Sequence, residues 1–276
     1  MSIERVTITI KKDVLKRIDN MVNKESVKNR SHAIEQLLQK AIGRTAVNTA
    51  LIMAGGDGAS LRPITYEISK AMIPVRGKPI LEHQINMLKK NGIENIIIAI
   101  NKKHEDVKNY FCDGSKHGVK IDYIVEERPL GTAGALSLLK DKLKSTFLMI
   151  NVDTLIDPDI YEMVAFHQKH QSLATVVLAT SPTPNNFGVV KMKGHQIINF
   201  SMRPKNAESN LVDAGVYIME PDIIKYARKK MDRKDLFSEL CLTGKLNGFL
   251  HDGKIFDIGT PAGYEKAIKE WKVPEN

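Results

Sequence analysis

Cysteine is scarce in this chain: Cys112 and Cys241 are the only two among 276 residues. Neither belongs to a CxxC pair, which excludes a disulfide scaffold and a cysteine zinc site. No stretch approaches the roughly 18 uninterrupted apolar residues of a membrane helix. The greasiest run, residues 96–100, suits one buried strand. The opening MSIERVTITIKKD scatters charges and has no apolar core followed by small residues, so it does not read as a signal peptide. With unpaired cysteines and no membrane partner expected, the anticipated address is the reducing cytoplasm, or the nucleoid within it. Acidic excess is missing too, since 41 Lys and Arg face 32 Asp and Glu. A chain that is 42% hydrophobic and 26% charged is neither disordered nor collagen-like. Its length allows one large domain or two unequal ones.

The positive charge is unevenly placed. Residues 1–46 hold ten Lys and Arg against five Asp and Glu, so more than half of the net charge of +9 sits in one sixth of the chain. A basic end of this kind fits a polyanionic partner or a solubilising face. Arg5-Val6-Thr7-Ile8-Thr9-Ile10 alternates with period two, which predicts a strand burying Val6, Ile8 and Ile10. Val14, Leu15, Ile18, Met21 and Val22 then fall at helical spacing. A second stripe, Ala33, Ile34, Leu37, Leu38, Ala41 and Ile42, follows Ser31 as expected N-cap and stops at Gly43.

A lone strand has nothing to pair with inside so small a unit, and about forty residues bury too little surface to fold alone. A second copy remedies both, which predicts a homodimer joined through the N-terminal strand, or a tetramer if the rest of the chain also pairs. The doubled ribbon would display Arg5, Thr7 and Thr9 twice. Such a ribbon fits the major groove of double-stranded DNA, where Arg reads guanine and Thr reaches base edges. Backbone N–H groups near Ser31 and His32 would hold a phosphate. Over residues ~4–43, the RVTITI strand and NRSHAIEQLLQKAI resemble the ribbon-helix-helix family of DNA-binding repressors.

Residues 1–43 are therefore read as one domain, 44–47 as a linker and 48–276 as a second domain. In the second, strands are expected at 47–54, 93–100, 121–125 and 146–150. Helices are expected at 79–90, 105–111, 132–143 and 158–167. That alternation points to βαβ units. Shorter strands follow at 174–179, 188–192, 197–200 and 212–219, with a last helix at 261–270. The fold class is thus α/β, a Rossmann-like, mostly parallel mixed sheet with helices on both faces. The first strand empties into Gly55-Gly56-Asp57-Gly58, where missing side chains let backbone N–H groups approach phosphate oxygens. Asp153 and Asp257 each end a predicted strand, as metal ligands often do. His167 and His170 lack a third ligand, Trp271 reads as packing, and the basic residues at 228–230 and 233–234 read as solvated.

The order AGGDG, SKAMIPVRGKPILEHQI, EERPLGTAGAL, NVDTLID, FGVV, DAGVY, DIGTP resembles the sugar-1-phosphate nucleotidylyltransferase family over residues ~48–265. The resemblance implies a nucleotide-diphospho-sugar transferase fold. It also implies that Gly55, Gly56 and Gly58 cradle a nucleotide, Lys70 contacts phosphate and Gly131 admits the base or ribose. Glu126 stands where the family reads the base; a carboxylate accepts from N1–H and the 2-amino group of guanine, which favours a guanine nucleotide or nucleotide sugar. Lys70, Arg203 and Asp153 would serve catalysis, and Asp153 and Asp257 would share Mg²⁺.

Several positions depart from the family pattern. Ser60 replaces the phosphate-neutralising Arg of GGxGTRL, and Asp57 adds a negative charge nearby. Met202 replaces a Glu that would hold sugar hydroxyls, and Asp213 replaces an Asn. Losing one such cation costs on the order of 10² to 10³ in rate. Two readings follow. One is a DNA-binding regulator whose nucleotidyltransferase-like domain senses a nucleotide or nucleotide sugar with weak or no turnover. The other is a working guanylyltransferase whose head serves oligomerisation or autoregulation.

Overall fold

The computed structural model describes residues 5–22, 27–41, 47–128, 130–140 and 142–272, with side chains 39–41 outside that description. The chain divides into two compact units, Met1–Arg44 and Thr45–Asn276.

The first unit contains helices α1 (Lys12–Asp19) and α2 (Arg30–Ala41). Ile18, Val27 and Ala33 form its small core, with Ile10, Val22 and Ile34 packed against it. Arg30 clamps Asp19 through two hydrogen bonds of 2.7 and 2.9 Å, tying the start of α2 to the end of α1. Residues 5–10 do not form the expected strand in the single chain. Val6 is 74% exposed and Ile8 53% exposed. The reason is pairing: a strand exists by its hydrogen bonds to a neighbour, and the described residues of this unit supply no second strand. Leu37 and Leu38 on the α2 stripe are likewise exposed. Ser31 is not the N-cap. It lies inside α2, and the Asn29 side chain accepts from the His32 N–H (2.9 Å), which caps the helix two positions earlier than expected. The expected stop at Gly43 and most of the linker lie outside the described residues.

The second unit runs β1 (Thr49–Ala54), α3 (Ile64–Glu67), β2 (Pro74–Val75), β3 (Lys78–Pro79), α4 (Ile80–Lys90), β4 (Asn95–Asn101), α5 (Glu105–Phe111), β5 (Lys120–Glu126), β6 (Phe147–Asn151), β7 (Thr154–Leu155), α6 (Ile160–His170), β8 (Ala174–Thr180), β9 (Gly188–Lys193), β10 (Gln196–Met202), β11 (Leu211–Met219), α7 (Arg233–Leu242), β12 (Leu246–Leu250), β13 (Phe256–Asp257) and α8 (Pro261–Glu270). Nine strands make one sheet in the order β5-β4-β1-β6-β11-β8-β12-β10-β9. The β5-β4-β1-β6 half is parallel. Beyond β6 the pairings are antiparallel except β8 with β12, so the sheet is mixed.

Burial on both faces explains the near-continuous apolar strands. Ile52, Ile98 and Ile150 point to a face covered by α4, α5 and α6 through Leu81, Ile85, Phe111 and Met163. Leu51, Ile97 and Met149 point to the other, covered by Leu136, Leu139 and the α7 residues Leu236, Phe237 and Leu240. Each such side chain contributes about 1.5–3 kcal/mol by leaving water. A third cluster joins Leu61, Ile73, Leu155, Phe256 and Trp271, so Trp271 is a packing residue that seats α8 beside the sheet.

The expected helix at 132–143 is only a short 3₁₀ turn, Gly134–Leu139. Its first N–H groups, on Ala133 and Gly134, bond outward to the Met231 carbonyl (3.1 and 2.9 Å) instead of opening an α-helix.

Candidate active site

The site lies where the parallel strands end, on the carboxyl side of β1, β5 and β6, as ligands do in open α/β sheets. β1 delivers Gly55 and Gly56. Gly56 has open space on its Cβ side, while a Cβ on Gly55 would sit 3.0 Å from Glu126 Oε1. Backbone and carboxylate thus form two walls of one slot. Gly58 has a different job from the expected phosphate cradle. It is buried at φ +62°, its carbonyl accepts from Thr65 Oγ1 (2.8 Å), and it turns the loop without lining the cavity.

Glu126 ends β5 with its side chain largely buried, and Oε2 accepts the Leu130 N–H at 3.2 Å. Burial pushes its carboxyl up despite that bond. Met53, Gly55, Gly56, Lys70, Glu126, Gly131, Thr132, Asn151, Val152, Asp153, Asp232 and Arg233 enclose a cavity of about 280 Å³. A second cavity, of about 80 Å³, is lined among others by Asn186, Phe187, Met202, Arg203, Asp213 and Asp257. Asn151, Asp153 and Arg233 border both, so the two compartments meet there.

Asp153 follows β6, and the Val152 N–H bonds to Met53 O (3.1 Å), which holds the turn against β1. Lys70 Nζ lies 3.0 Å from Asp153 Oδ2. Burial works against ionisation of Asp153, but Lys70 and Arg233 outweigh it and hold the carboxyl below its ordinary value. Pairing of β13 with β7 sets Asp257 beside Thr154, and the Ile258 N–H bonds to Asp153 O (2.7 Å). A Cβ on Gly259 would lie 2.8 Å from Asp257 Oδ1 and 3.2 Å from Asp153 Oδ2, so both carboxylates face one point. Burial, then the Asp153 charge, push the Asp257 carboxyl above its usual value. Two acids pushed apart in this way suit a shared divalent cation whose remaining ligands are phosphate and water. Among the described residues, no group of three or more His, Cys, Asp or Glu is placed to hold a metal by itself.

Arg203 borders the smaller cavity, its N–H bonded to Phe187 O (2.8 Å). Ser60 Oγ donates to the Gly259 carbonyl (2.5 Å), so it braces the Asp257 turn and does not reach for phosphate. Arg62 meets Asp57 at 3.8 Å on the surface.

Arg233 is not part of the solvated basic surface that its sequence neighbours suggest: it opens α7 into the junction of both cavities with a side chain only 16% exposed. Its Nε lies 3.2 Å from Asp213 Oδ2, and it donates to the Tyr217 hydroxyl. Asp213 also accepts from Gly215 N–H (2.8 Å) and Tyr217 OH (3.0 Å). Burial opposes the charge on Arg233, but Asp213, Tyr217 and Asp153 together raise its pKa, so it stays charged. The signal that could have found it was Asp213: a carboxylate in place of an amide on a buried strand requires a cation.

The remaining expected positions separate. His167 is buried and bonded to Thr175 Oγ1 (2.7 Å) and Glu220 Oε1 (3.1 Å), while His170 stacks on His195, so the HxxH pair shares no site. In the first unit Arg5, Thr7, Thr9 and Ser31 are exposed. The His32 N–H is already taken by Asn29, and its ring meets Gln36 and the Lys28 N–H, so it offers less to a phosphate than expected.

Known proteins share the fold of the second unit. Residues 49–272 match the family model for nucleotidyl transferase, and residues 4–45 that for ribbon-helix-helix protein, copG family. A mannose-1-phosphate guanylyltransferase of Arabidopsis thaliana is 32% identical over 229 residues, covering 80% of this chain and 63% of that protein. One of Aspergillus oryzae is 32% identical over 227 residues, covering 78% and 62%. The chain thus spans less than two thirds of the length of these relatives. A crystal structure from Bacillus anthracis, described as a glucose-1-phosphate thymidylyltransferase in complex with a sucrose, superposes with a TM-score of 0.75. It is 28% identical, with 80% of this chain and 94% of that one covered. HddC from Yersinia pseudotuberculosis, 24% identical with a TM-score of 0.72, shares the fold over 82% of this chain. The chain belongs to the nucleotidyl transferase family and carries an N-terminal ribbon-helix-helix domain of the copG type.

Proposed function

We propose that the second unit is a working sugar-1-phosphate nucleotidylyltransferase that prefers a guanine nucleotide, carried on a DNA-binding head. The observation behind this is the meeting of two cavities at Asp153, with Lys70 and Arg233 on either side and Asp257 facing the same point. A nucleoside triphosphate in the larger cavity and a sugar 1-phosphate in the smaller would bring the attacking phosphate oxygen to the α-phosphorus there, with pyrophosphate leaving. Such a reaction asks the protein for position and charge, and little covalent work.

Glu126 accepts from the guanine edge, and Gly55 and Gly56 keep the backbone close. Lys70 neutralises Asp153 in the free protein; once Asp153 has another positive partner, Nζ is free to turn to a phosphate oxygen. A divalent cation on Asp153 and Asp257, which we take to be Mg²⁺, would neutralise phosphate charge when bound. Arg203 and Arg233 supply charge from the sugar side. The reading of weak or absent turnover rested on Ser60 standing where a cation belongs. Arg233, buried at the junction beside its Asp213 partner, brings N–H donors to that point from another element, which favours catalysis.

The match to guanylyltransferases at about one third identity supports the base and a hexose 1-phosphate as substrate. The head supports a second role, in which a dimer joined through residues 5–10 binds DNA and turnover or ligand binding feeds back on that contact. Pyrophosphate release by the full chain with GTP, Mg²⁺ and mannose 1-phosphate tests the enzyme. Turnover is expected. No release with any sugar 1-phosphate, while GTP still raises the melting temperature, would turn the assignment to a sensor.

A further inference from the structure

Arg128, Leu130, Lys229 and Lys230 line a cleft of about 440 Å³, apart from both cavities of the candidate active site. Its volume lies within the range of small-ligand pockets. Arg228 next door is paired with Glu239 at 3.1 Å, but among the described residues Arg128, Lys229 and Lys230 have no carboxylate partner. Three like charges gathered round one concavity repel each other, and a polyvalent anion removes that repulsion. Arg offers a fork of donors and Lys a point charge, a combination suited to phosphate oxygens.

The cleft also shares its wall with the base pocket. Leu130 lines the cleft, while its N–H holds Glu126 Oε2 at 3.2 Å. Its carbonyl accepts the Met231 N–H at 3.0 Å, and the Met231 carbonyl accepts from Ala133 and Gly134. Lys229 and Lys230 lead directly into Met231. Gly131, at φ +79°, leaves so little room that a Cβ would come within 2.6 Å of Met231 O. These bonds clasp the two segments together, with the cations outside and Glu126 and Gly131 inside.

We propose that this cleft is a second anion site for a small phosphate-bearing ligand, and that filling it stiffens the clasp that shapes the neighbouring base pocket. The coupling half rests on the assignment of that pocket to a nucleotide; binding in the cleft does not.

The test uses inorganic tripolyphosphate on the full chain with the nucleotide pocket held full by GDP. One further binding event is expected, weakened about tenfold or more in the Arg128→Ala/Lys230→Ala double variant. At constant free Mg²⁺, the KM for GTP in the presence of the probe is expected to be about fivefold lower in the wild type than in the double variant, and equal without it. Equal binding by the two proteins overturns the site. Weakened binding with equal KM overturns the coupling. Displacement of the probe by a short DNA duplex of unrelated sequence, at lower concentration than the probe itself, overturns the small ligand in favour of a nucleic-acid backbone. Failure of GDP to bind the wild type counts against the nucleotide reading and leaves the cleft to be judged on tripolyphosphate alone.

Discussion

Asp153, Asp257 and Arg233 set what the site can do at the level of single residues. Asp257 carries a carboxyl raised by burial and by its acidic neighbour. A raised carboxyl binds its proton more tightly folded than unfolded, so its contribution to stability falls as pH climbs from the ordinary value through the raised one. Without divalent cation, Asp257→Asn is therefore expected to raise the melting temperature at neutral pH by a few degrees or about 1 kcal/mol. Adding Mg²⁺ is expected to raise the melting temperature of the wild type, and the same variant is expected to lose that gain. Asp153→Asn removes the group that Lys70 neutralises and is expected to lower kcat by on the order of 10² to 10³, read as pyrophosphate release. Arg233→Met leaves Asp213 buried without its cation. A loss of about 3–5 kcal/mol in a denaturant titration is expected, since breaking a buried pair strands a charge. Lowering both charges together, as Asp213→Asn with Arg233→Met, should recover much of that stability but not the turnover.

At the level of elements, the strand at 5–10 depends on its surroundings more than any other. Its alternation was plain in the sequence, yet the single chain leaves it unpaired with Val6 and Ile8 in water. That exposure is what the proposed pairing with a second copy would remove. Ile8→Glu is expected to shift the full chain from dimer to monomer in sedimentation and to abolish retention of DNA, while pyrophosphate release continues. The opposite case is the segment after Gly131. Its apolar spacing reads as a helix, but Met231 captures its first N–H groups and only a 3₁₀ turn forms. Helix α7 escaped notice for a related reason. Its charged opening looks like surface, and only the packed sheet shows that Leu236, Phe237 and Leu240 lie inward and that Arg233 does too.

Across the whole molecule, the proposed function joins a basic head and an α/β body in two chemistries that both concern phosphate. For the head, binding to duplex DNA should weaken linearly on a log–log plot against salt, and Arg5→Ala should flatten that slope by about one if Arg5 meets a phosphate. If Arg5 reads a base, specificity falls instead at one position by about 1–3 kcal/mol. No described helix is long and apolar enough to cross a membrane. The sequence by itself determined β1, α4, β4, α5, β5, β6, α6, β8 to β11 and α8, because period-two and three-and-four spacings report burial locally. It also fixed the glycine turn after β1 and the identity of Lys70, Glu126, Asp153 and Asp257 as candidates, through the order of short motifs. Only the tertiary structure decided which of these meet. The pairing of β13 with β7 turns Asp257 toward Asp153, and Asp213 draws Arg233 inward across a gap of twenty residues. Contacts between distant segments depend on how the sheet closes, and no local pattern records that closure.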